Sequence, residues 1–447
     1  MRGRRAKRIG ILVLLLLALS VSLYLWTKET LTVVAWSIVG LYTLWGAFHT
    51  AYFVAGRRPP YAPSGPALKK LKFSLIVPAR NEPLIERTVS HIVHEVRYPK
   101  HLKEIIPVVD DEGTERIVFH LQQLYPGYVK PIARRRLFPT KPSALNDALA
   151  LATGDVVGIA DVEDLLDNDI LEKVNAAVVN DDHKVIQAIL RVSNVKDSWI
   201  TELFACEYAG WFRVLLNGRS KLRLYAPLGG TGNYIERTTL MTVARWDPLN
   251  LAEDAELALR LHLHGYRTVL IDARHWEEAP VDFNAWLRQR TRWFRGWLQS
   301  LFAHGPAITW MGIRHPRSLV NVLSILMMLM APLVVVFNWV AYGMTAFYLL
   351  EHFDVIGTDY MSGTFPVIAI LPLFFNVLYY GVWYVGKELE RIPVSFLRRL
   401  PHFVFYANVM MPIAALRALY QELFKDVFWE KTRHPGRGAR WAMVERA

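Results

Sequence analysis

Two neighbouring segments decide the fold of this chain: WDPLNLAED at residues 246–254 and RQRTRWFRGW at residues 288–297. In the first, Glu253 and Asp254 lead into leucine pairs spaced i, i+4, and Gly265 follows them. Leucines at this spacing share one side of a helix, and glycine commonly ends one. We therefore predict a helix between residue 253 and Gly265, with Asp254 in its first turn.

The second segment predicts a helix with one chemically unusual face. Gln289, Arg292, Trp293 and Gly296 fall at i, i+3, i+4 and i+7, so a helix brings them to one side. A guanidinium can fork onto a phosphate, an indole can cover a ring, and glycine allows close approach to the backbone. This face therefore suits a charged, flat ligand. The same spacing fits an amphipathic helix at a membrane surface with tryptophan anchors, and the two interpretations are compatible.

Residues 289–293 match a Gln-x-x-Arg-Trp motif, and Glu253-Asp254 match the end of a Thr-Glu-Asp motif. Both motifs belong to membrane-bound family 2 glycosyltransferases. Over about residues 72–297 and the flanking apolar segments, the chain resembles the cellulose, chitin and hyaluronan synthase superfamily in its compact bacterial or archaeal form. The resemblance implies an α/β GT-A (Rossmann-like) catalytic domain with Asp254 as catalytic base. It also implies that Gln289, Arg292 and Trp293 face the donor or the acceptor sugar.

The composition indicates a membrane protein. Of 447 residues, 53% are hydrophobic, and the mean hydropathy is positive. The formal net charge of +12 fits either nucleic acid or lipid headgroups, but the basic residues concentrate beside apolar runs. We therefore expect a bilayer and no nucleic acid as partner. Cys206 is the single cysteine, which excludes an intrachain disulfide framework, and the histidines lack metal-ligand spacing.

The first 60 residues predict a transmembrane hairpin. A basic cluster at residues 2–8 precedes an apolar run from Ile9 to Trp26, and a second run extends from Leu31 to Ala55. Each run is about long enough to span a bilayer. The first is long for a cleaved signal peptide and no small-x-small cleavage site follows it, so we predict that it is retained. Basic residues at both outer ends place the following domain in the cytoplasm.

An α/β domain is predicted for residues 61–285, after a proline-rich linker. The strands Phe73–Pro78 and Glu104–Val109 flank a helix over Leu84–Val96, and each strand ends in polar residues. In open α/β sheets, ligands bind beyond the carboxyl ends of the strands, although such residues are also ordinary turn residues. The predicted donor contacts at these strand ends are Pro78, Arg80, Glu82, Asp110 and Asp111.

Two further segments carry charges suited to a diphosphate. Lys141 opens a loop that enters a helix, where ammonium and helix N-terminus both favour anions; a solvated basic loop is the alternative. The family's Lys-x-x-Ala-Leu-Asn loop matches here. Asp161 and Glu163 follow a strand and point the same way, so they can share Mg²⁺ or Mn²⁺ with a diphosphate. An acidic helix start fits as well, and the family's Asp-x-Asp leaves open whether Glu163 or Asp164 completes the site.

The stretch Ile186–Asn217 is predicted to be mainly helical, with aromatic rings that serve packing or membrane contact. The segment PLGGTGN at residues 227–233 is a glycine-rich turn without the spacing of a phosphate-binding loop. In the resembled family, the matching segment lies at the acceptor end of the catalytic pocket. The residues thereby expected to contact the acceptor are Gly230, Thr231, Glu253 and Trp293.

Three apolar stretches follow residue 318. We predict one tilted helix for Leu319–Leu350, in preference to two helices broken at Pro332, and a further span over Phe365–Val385. Basic flanks favour an interfacial or re-entrant helix for Phe403–Leu419. The predicted organisation is a transmembrane hairpin (1–60), a catalytic domain (61–285), interfacial amphipathic helices (286–317) and C-terminal transmembrane or interfacial helices with a basic tail (318–447).

The resemblance implies an inverting, metal-dependent hexosyltransferase in the plasma membrane, multi-pass, with a cytoplasmic catalytic domain. It would move a sugar from a nucleotide-diphosphate sugar, with a UDP-sugar favoured, to a growing β-linked polysaccharide. Transfer of one sugar to a membrane lipid is the alternative, because related lipid-modifying transferases carry the same motif. A non-enzymatic scaffold is a remote third. Only about four spans are expected, so polymer export would need a narrow channel, an export subunit or a homo-oligomer.

Overall fold

The computed structural model describes residues 27–135, 140–314, 318–358 and 365–428, with scattered positions between 10 and 25. The predictions for the basic cluster at residues 2–8, for the retention of the run from Ile9 to Trp26 and for the basic tail from Trp429 onward concern residues largely outside these ranges.

Residues 73–277 form an eight-stranded mixed sheet with the order β3-β2-β1-β4-β7-β6-β8-β5. β1, β2, β3 and β4 run parallel, so the carboxyl ends of these strands meet at one edge of the sheet. The predicted α/β fold class is confirmed. The strands are β1 (Phe73–Ala79), β2 (Lys103–Val109), β3 (Ile132–Ala133), β4 (Val156–Ile159), β5 (Leu165–Leu166), β6 (Val185–Val192), β7 (Asn233–Glu236) and β8 (Thr268–Glu277).

Helices precede, cover and follow this sheet, and two π-helical segments, Ala209–Leu216 and Tyr406–Met410, lie within longer helical stretches. The α-helices are α1 (Thr27–Gly56), α2 (Ile85–His94), α3 (Glu112–Leu124), α4 (Lys141–Leu149), α5 (Ile170–Val179), α6 (Trp199–Tyr208), α7 (Asn217–Lys221), α8 (Arg237–Thr242), α9 (Glu253–Leu263), α10 (Phe283–Arg314), α11 (Leu319–Leu329), α12 (Ala331–His352), α13 (Phe365–Leu389), α14 (Phe396–Phe405) and α15 (Met411–Phe424).

The helical prediction for Ile186–Asn217 is wrong for its first part. Residues 185–192 form β6, which pairs in parallel with β8 and antiparallel with β7. A short, continuous apolar run fits a buried strand and a buried helix equally well. Its pairing with β8 along its whole length, and with β7 at residues 185–187, decides for the strand, because backbone groups then find partners.

Three helices in the described part of the chain are long and apolar enough to cross a membrane: Glu29–Gly56, Ala331–His352 and Phe396–Phe424. The prediction of one helix over Leu319–Leu350 is wrong, because α11 ends at Leu329 and α12 begins at Ala331. Pro332 lies in the first turn of α12, where its missing N–H costs no hydrogen bond. An interfacial or re-entrant placement for residues 403–419 stays a prediction.

The apolar helices pack directly on the α/β domain. α1 crosses α7 at Gly218, where a Cβ would lie 2.8 Å from the Tyr52 Cα and closer still to its carbonyl oxygen. α10 packs along α15, and the buried Arg295 there pairs with Glu422 at 3.2 Å. The apolar helices and the α/β domain are therefore in direct contact.

Candidate active site

One cavity of about 420 Å³ opens at the carboxyl ends of the parallel strands and continues among the apolar helices. Of the predicted site residues, only Asp111 and Thr231 lie outside its lining. The predicted residues that line it are Pro78, Arg80, Glu82, Asp110, Lys141, Asp161, Glu163, Gly230, Glu253, Asp254, Gln289, Arg292 and Trp293.

Asp111 and Thr231 support the cavity from behind. The Asp111 carboxylate caps α3 by accepting from the Thr114 N–H at 2.8 Å, and it also accepts from the Asn81 N–H at 2.6 Å. Thr231 is 1% exposed, and its hydroxyl donates to Asp164. Protein groups engage both side chains, and the predicted ligand contacts of Asp111 and Thr231 stay predictions.

Asp110 is held by a buried arginine that the sequence identified only as part of a basic run. Arg134 follows β3 and donates to the Asp110 Oδ2 from Nε at 3.0 Å and from Nη2 at 2.8 Å. It also pairs with Asp147 on α4 at 2.9 Å. The Asp110 Oδ1 is buried and has no hydrogen-bond partner among the residues that the structure describes. An orphaned acceptor at a cavity wall is suited to a donor group of a ligand.

Lys141 begins α4 and reaches the carboxylate end of the cavity. Thr140 and Ser143 form a capping box that fixes this helix start. The Lys141 ammonium donates to the Asp161 Oδ2 at 2.6 Å and to the Gly230 carbonyl oxygen at 2.9 Å. Burial acts to lower the pKa of Lys141, but Asp161 and Glu253 outweigh it and raise the pKa above its ordinary value. The side chain is therefore a fixed positive charge.

The segment after β4 presents two of its three carboxylates to the cavity. Asp161 and Glu163 line it, whereas Asp164 is fully buried and accepts from the Asp161 N–H at 2.7 Å. Burial and the neighbouring Asp161 raise the pKa of Asp164 to about 7. The Arg87 guanidinium donates to the Glu163 carbonyl oxygen at 2.7 Å and holds the loop. Of the two candidates for the second metal ligand, Glu163 lines the cavity and Asp164 is buried behind it, so Glu163 stays the predicted ligand.

Two carboxylates suit a metal that takes its other ligands from substrate. Among the described residues, no group of three or more His, Cys, Asp or Glu side chains is placed to hold an ion. Mg²⁺ typically uses one or two carboxylates and completes its octahedron with phosphate oxygens and water. Asp161 and Glu163 therefore fit a metal that arrives with a diphosphate.

Asp254 lies in the first turn of α9, opposite Lys141. Its Oδ1 accepts from the Ala255 N–H at 2.7 Å, and a Cβ on Gly230 would lie 3.5 Å from both the Asp254 Oδ2 and the Lys141 Nζ. Burial raises the pKa of Asp254 above its ordinary value, although Lys141 and Arg292 act against the shift. Burial and Asp254 likewise raise the pKa of Glu253 to about 7.

The predicted face of α10 meets the start of α9. A Cβ on Gly296 would lie 2.9 Å from the Ala252 Cα and closer to its Cβ and N, so the absence of a side chain permits this contact. Arg292 donates to the Leu251 carbonyl oxygen at 3.2 Å. Within the described part of the chain, the buried Gln289 Oε1 has no hydrogen-bond partner. The face therefore brings a guanidinium and an amide to the same cavity as Asp254.

Trp293 is held in place by residues that sequence reasoning missed. Its ring stacks on Tyr208 with centroids 6.1 Å apart, and the Arg290 guanidinium lies 4.7 Å from its centroid. Arg290 in turn pairs with Glu207 at 2.6 Å. Arg290 stands inside the Gln-x-x-Arg-Trp motif, but its partners on α6 lie about 80 residues away in sequence, so no local pattern identifies them.

Glu277 is a further carboxylate of the cavity wall. It ends β8, and the Tyr208 hydroxyl donates to it; burial and the charge of Asp164 raise its pKa well above the ordinary value. The signal that points to it is its position at the carboxyl end of a strand.

The inner section of the cavity lies among the apolar helices. It contains the rings of Trp45, Tyr379 and Trp383, and Trp45 stacks on Tyr379 with centroids 5.0 Å apart. The residues of the inner section are Tyr42, Trp45 and His49 of α1, Met327 and Met328 of α11, Ala331, Val334, Val335 and Asn338 of α12, Phe375, Asn376, Tyr379 and Trp383 of α13, and Ala407 and Met411.

Residues 71–296 match the family model described as "Glycosyltransferase like family 2". A probable glycosyltransferase of Bacillus subtilis, YdaM, is 30% identical over 232 residues, which cover 50% of this chain and 55% of that protein. The beta-monoglucosyldiacylglycerol synthase of Synechocystis is 28% identical over 236 residues, covering 50% and 47%. The chain thus spans about half the length of the curated relatives it matches.

Among solved structures, the mannosyltransferase PcManGT of Pyrobaculum calidifontis, in complex with GDP-Man and Mn²⁺, aligns with a TM-score of 0.49 at 17% identity. The alignment covers 86% of this chain and 99% of that chain. The match to the family model covers the sheet, the carboxylates and the α10 motif, and it shows the family independently of this structural alignment. The chain belongs to glycosyltransferase family 2, and its α/β sheet lies within the matched residues.

Proposed function

We propose that this protein is an inverting, metal-dependent glycosyltransferase that moves a hexose from a nucleotide-diphosphate sugar, favouring a UDP-sugar, to a hydroxyl of a membrane lipid. The observation that carries this proposal is the single cavity that joins Asp254 and the charged residues to the inner section. Donor and acceptor can therefore meet at Asp254 from opposite ends.

The acceptor hydroxyl oxygen attacks the anomeric carbon as the bond from that carbon to the diphosphate oxygen breaks. Asp254 takes the hydroxyl proton, since its Oδ2 faces the space beside Gly230. Lys141 and Arg292 stabilise the negative charge that develops on the departing diphosphate. Attack from the side opposite the leaving group inverts the anomeric configuration, and no covalent intermediate with the protein is needed.

Asp161 and Glu163 would hold the Mg²⁺ or Mn²⁺ ion. When bound, the ion would neutralise part of the negative charge of the diphosphate. Lys141 donates a hydrogen bond to Asp161 and fixes its carboxylate, and Arg87 fixes the loop that carries Glu163. These residues thus keep the carboxylates oriented toward the phosphate side of the cavity.

The nucleoside is placed against β1 and β2, where Pro78, Arg80, Glu82 and Asp110 line the cavity. The unpartnered Asp110 Oδ1 accepts a hydrogen bond from the base. Gln289 and Trp293 then lie next to the transferred sugar, and Glu253 and Gly230 border the acceptor hydroxyl. Asp111 positions this wall through Asn81 without touching the ligand.

A lipid acceptor is favoured because the inner section offers mainly carbon surface. Several of its polar groups are occupied within the protein: Tyr42 donates to Asn338, and Asn376 donates to Tyr342. Tyr42 lies about 21 Å along α1 from Gly56, given a rise of 1.5 Å per residue, which is well inside a bilayer. Hydrocarbon chains are compatible with such a lining. The similarity to a beta-monoglucosyldiacylglycerol synthase supports the same acceptor class.

A growing β-linked polysaccharide is the second candidate. The stacked rings of Trp45 and Tyr379, with Trp383 beside them, provide flat surfaces on which sugars can lie. On either reading, we place the protein in the plasma membrane as a multi-pass protein with its catalytic domain in the cytoplasm. An export subunit or a homo-oligomer is required only for the polysaccharide.

Product size tests this proposal. Purified protein in nanodiscs receives radiolabelled UDP-sugars, Mn²⁺ or Mg²⁺ and lipids with a free hydroxyl, beside the Asp254→Asn variant. The expected product is one discrete glycolipid that partitions into organic solvent and is absent with Asp254→Asn. A ladder of water-soluble products would replace the lipid acceptor by the polysaccharide.

A further inference from the structure

Arg219 is a fully buried arginine that lines the cavity where the catalytic domain meets α1 and α11. Its side chain is 1% exposed. Nη1 donates to the Tyr225 carbonyl oxygen at 3.0 Å and to the Ser324 hydroxyl at 3.1 Å. The guanidinium carbon lies 4.2 Å from the centroid of the Tyr52 ring. These contacts fix the group, but none of them is with a negative charge.

Arg219 differs in this respect from the other buried arginines of the described chain. Each of those has a carboxylate within ion-pair distance, whereas Arg219 has none among the described residues. The compensated pairs are Arg134–Asp110 (2.8 Å), Arg213–Glu390 (3.8 Å), Arg290–Glu207 (2.6 Å) and Arg295–Glu422 (3.2 Å). Because an uncompensated buried charge is unfavourable, a site that keeps one is suited to an anion from outside the chain.

The guanidinium retains the donors that such an anion requires. Its described hydrogen bonds all come from Nη1, so Nε and Nη2 have no protein acceptor within the described residues. Nε and Nη2 form one edge of the planar fork, and that edge matches two oxygens of a phosphate. The ring of Tyr52 lies over one face of the guanidinium, and the side chain lines the cavity.

The position of Arg219 corresponds to the level of lipid headgroups. Tyr52 lies four residues before the end of α1 at Gly56, and the exposed Arg57 and Arg58 follow immediately. Basic residues at the end of an apolar helix mark the cytoplasmic membrane surface. Arg219 therefore lies about one helical turn inside that surface.

Arg219 is also connected to the segment that carries the proposed catalytic base, Asp254. Tyr225, whose carbonyl oxygen it contacts, donates its hydroxyl proton to the Ala255 carbonyl oxygen, next to Asp254. On the opposite side, Met327 and Met328 of α11 line the cavity and lead into the inner section. One molecule can thus reach Asp254, Arg219 and the apolar lining together.

We propose that Arg219 anchors an anion subsite that binds the phosphate group of a phosphate-bearing acceptor lipid. The acyl or prenyl chain occupies the inner section, and the hydroxyl that accepts the sugar points to Asp254. This inference rests on the proposed lipid acceptor and narrows its class to anionic lipids. A neutral diacylglycerol or a neutral polysaccharide has no group that would compensate Arg219.

The test compares two probes that share their acyl chains and carry hydroxyls but differ in phosphate: phosphatidylglycerol and diacylglycerol. Binding of fluorescent forms of each is measured on purified full-length protein in neutral phosphatidylcholine nanodiscs. The variants are Arg219→Gln, Arg219→Lys and Lys221→Gln, the last an exposed basic residue of the same helix. UDP-sugar hydrolysis and thermal unfolding report separately on the donor site and on folding.

The wild type and Lys221→Gln are expected to bind phosphatidylglycerol roughly tenfold or more tightly than diacylglycerol, as charge-assisted hydrogen bonds predict. Arg219→Gln should abolish this preference with UDP-sugar hydrolysis retained, and Arg219→Lys should keep part of it, because it keeps the charge without the fork. Equal binding of both lipids by the wild type, or an unchanged preference in Arg219→Gln, would overturn the proposal.

Two further measurements distinguish a lipid phosphate from free phosphate, and a failure of this inference from a failure of the proposed function. Inorganic phosphate at millimolar concentration should leave the bound phosphatidylglycerol in place, because the apolar chain contributes most of the binding; full displacement would assign the subsite to free phosphate and overturn the lipid assignment. If the folded wild type showed no UDP-sugar hydrolysis at all, that result would instead contradict the proposed function itself.

Discussion

Replacing Gly296 by alanine tests whether α10 must lie directly on the loop before Asp254. The new Cβ would lie 2.9 Å from the Ala252 Cα and closer to two other atoms of that residue. Carbon atoms prefer separations of about 3.5–4.0 Å, so α10 and the loop must part by roughly 1 Å. Overpacking of this kind costs about 1–3 kcal/mol of stability.

The same displacement separates Arg292 and Trp293 from Asp254. A misplacement of about 1 Å can lower a rate roughly 100-fold. We expect kcat for transfer from a UDP-sugar to fall by that order, whereas UDP binding should weaken far less, because the proposed nucleoside contacts Arg80 and Asp110 directly follow β1 and β2. Initial rates and UDP titrations on the same preparation measure the two effects.

The matched control is Gly343→Ala, a mid-helix glycine in α12 whose new Cβ would meet nothing within 4 Å. It should keep the wild-type rate, and its stability should stay the same or rise by up to about 1 kcal/mol. A wild-type kcat and an unchanged unfolding temperature in Gly296→Ala would refute the close-contact reasoning.

Three further outcomes are expected. Because burial raises the pKa of Asp254 and a base must be ionised, kcat/KM should fall with decreasing pH through a limb that lies above the ordinary aspartate value of about 4; a limb at or below that value would contradict the shift. Arg134→Met leaves Asp110 unpaired in a buried site and should cost roughly 3–5 kcal/mol, measured by thermal unfolding; a loss below about 1 kcal/mol would contradict the buried pair. Cys206 is fully buried, and burial raises its thiol pKa to about 12, so maleimide should label it only after unfolding.

Much of the site could be predicted because its residues follow strands or begin helices. Asp110, Asp161 and Glu163 come directly after buried strands, and parallel strands gather their carboxyl ends at one edge. Lys141 and Asp254 lie in first helical turns, where sequence marks are strong. Such local rules predict which side chains meet even before the order of the strands is known.

What could not be predicted depends on contacts between distant parts of the chain. Asp110 and Asp111 are adjacent in sequence, yet Asp110 lines the cavity whereas Asp111 caps α3, which begins at the next residue. The strand at residues 185–192 has no periodicity that separates it from a helix, and only its pairing with β7 and β8 decides. The isolation of Arg219 from carboxylates is likewise invisible in the sequence.

The most direct test of the central claim is radiolabel transfer from a panel of UDP- and GDP-sugars by purified protein in lipid, with Mn²⁺ or Mg²⁺. Asp254→Asn and Asp161→Ala are run beside the wild type, with UDP binding measured for each. We expect metal-dependent transfer by the wild type, transfer abolished in both variants, and UDP binding retained in Asp254→Asn. Undiminished transfer by Asp254→Asn, or no transfer from any donor by folded wild-type protein, would contradict it.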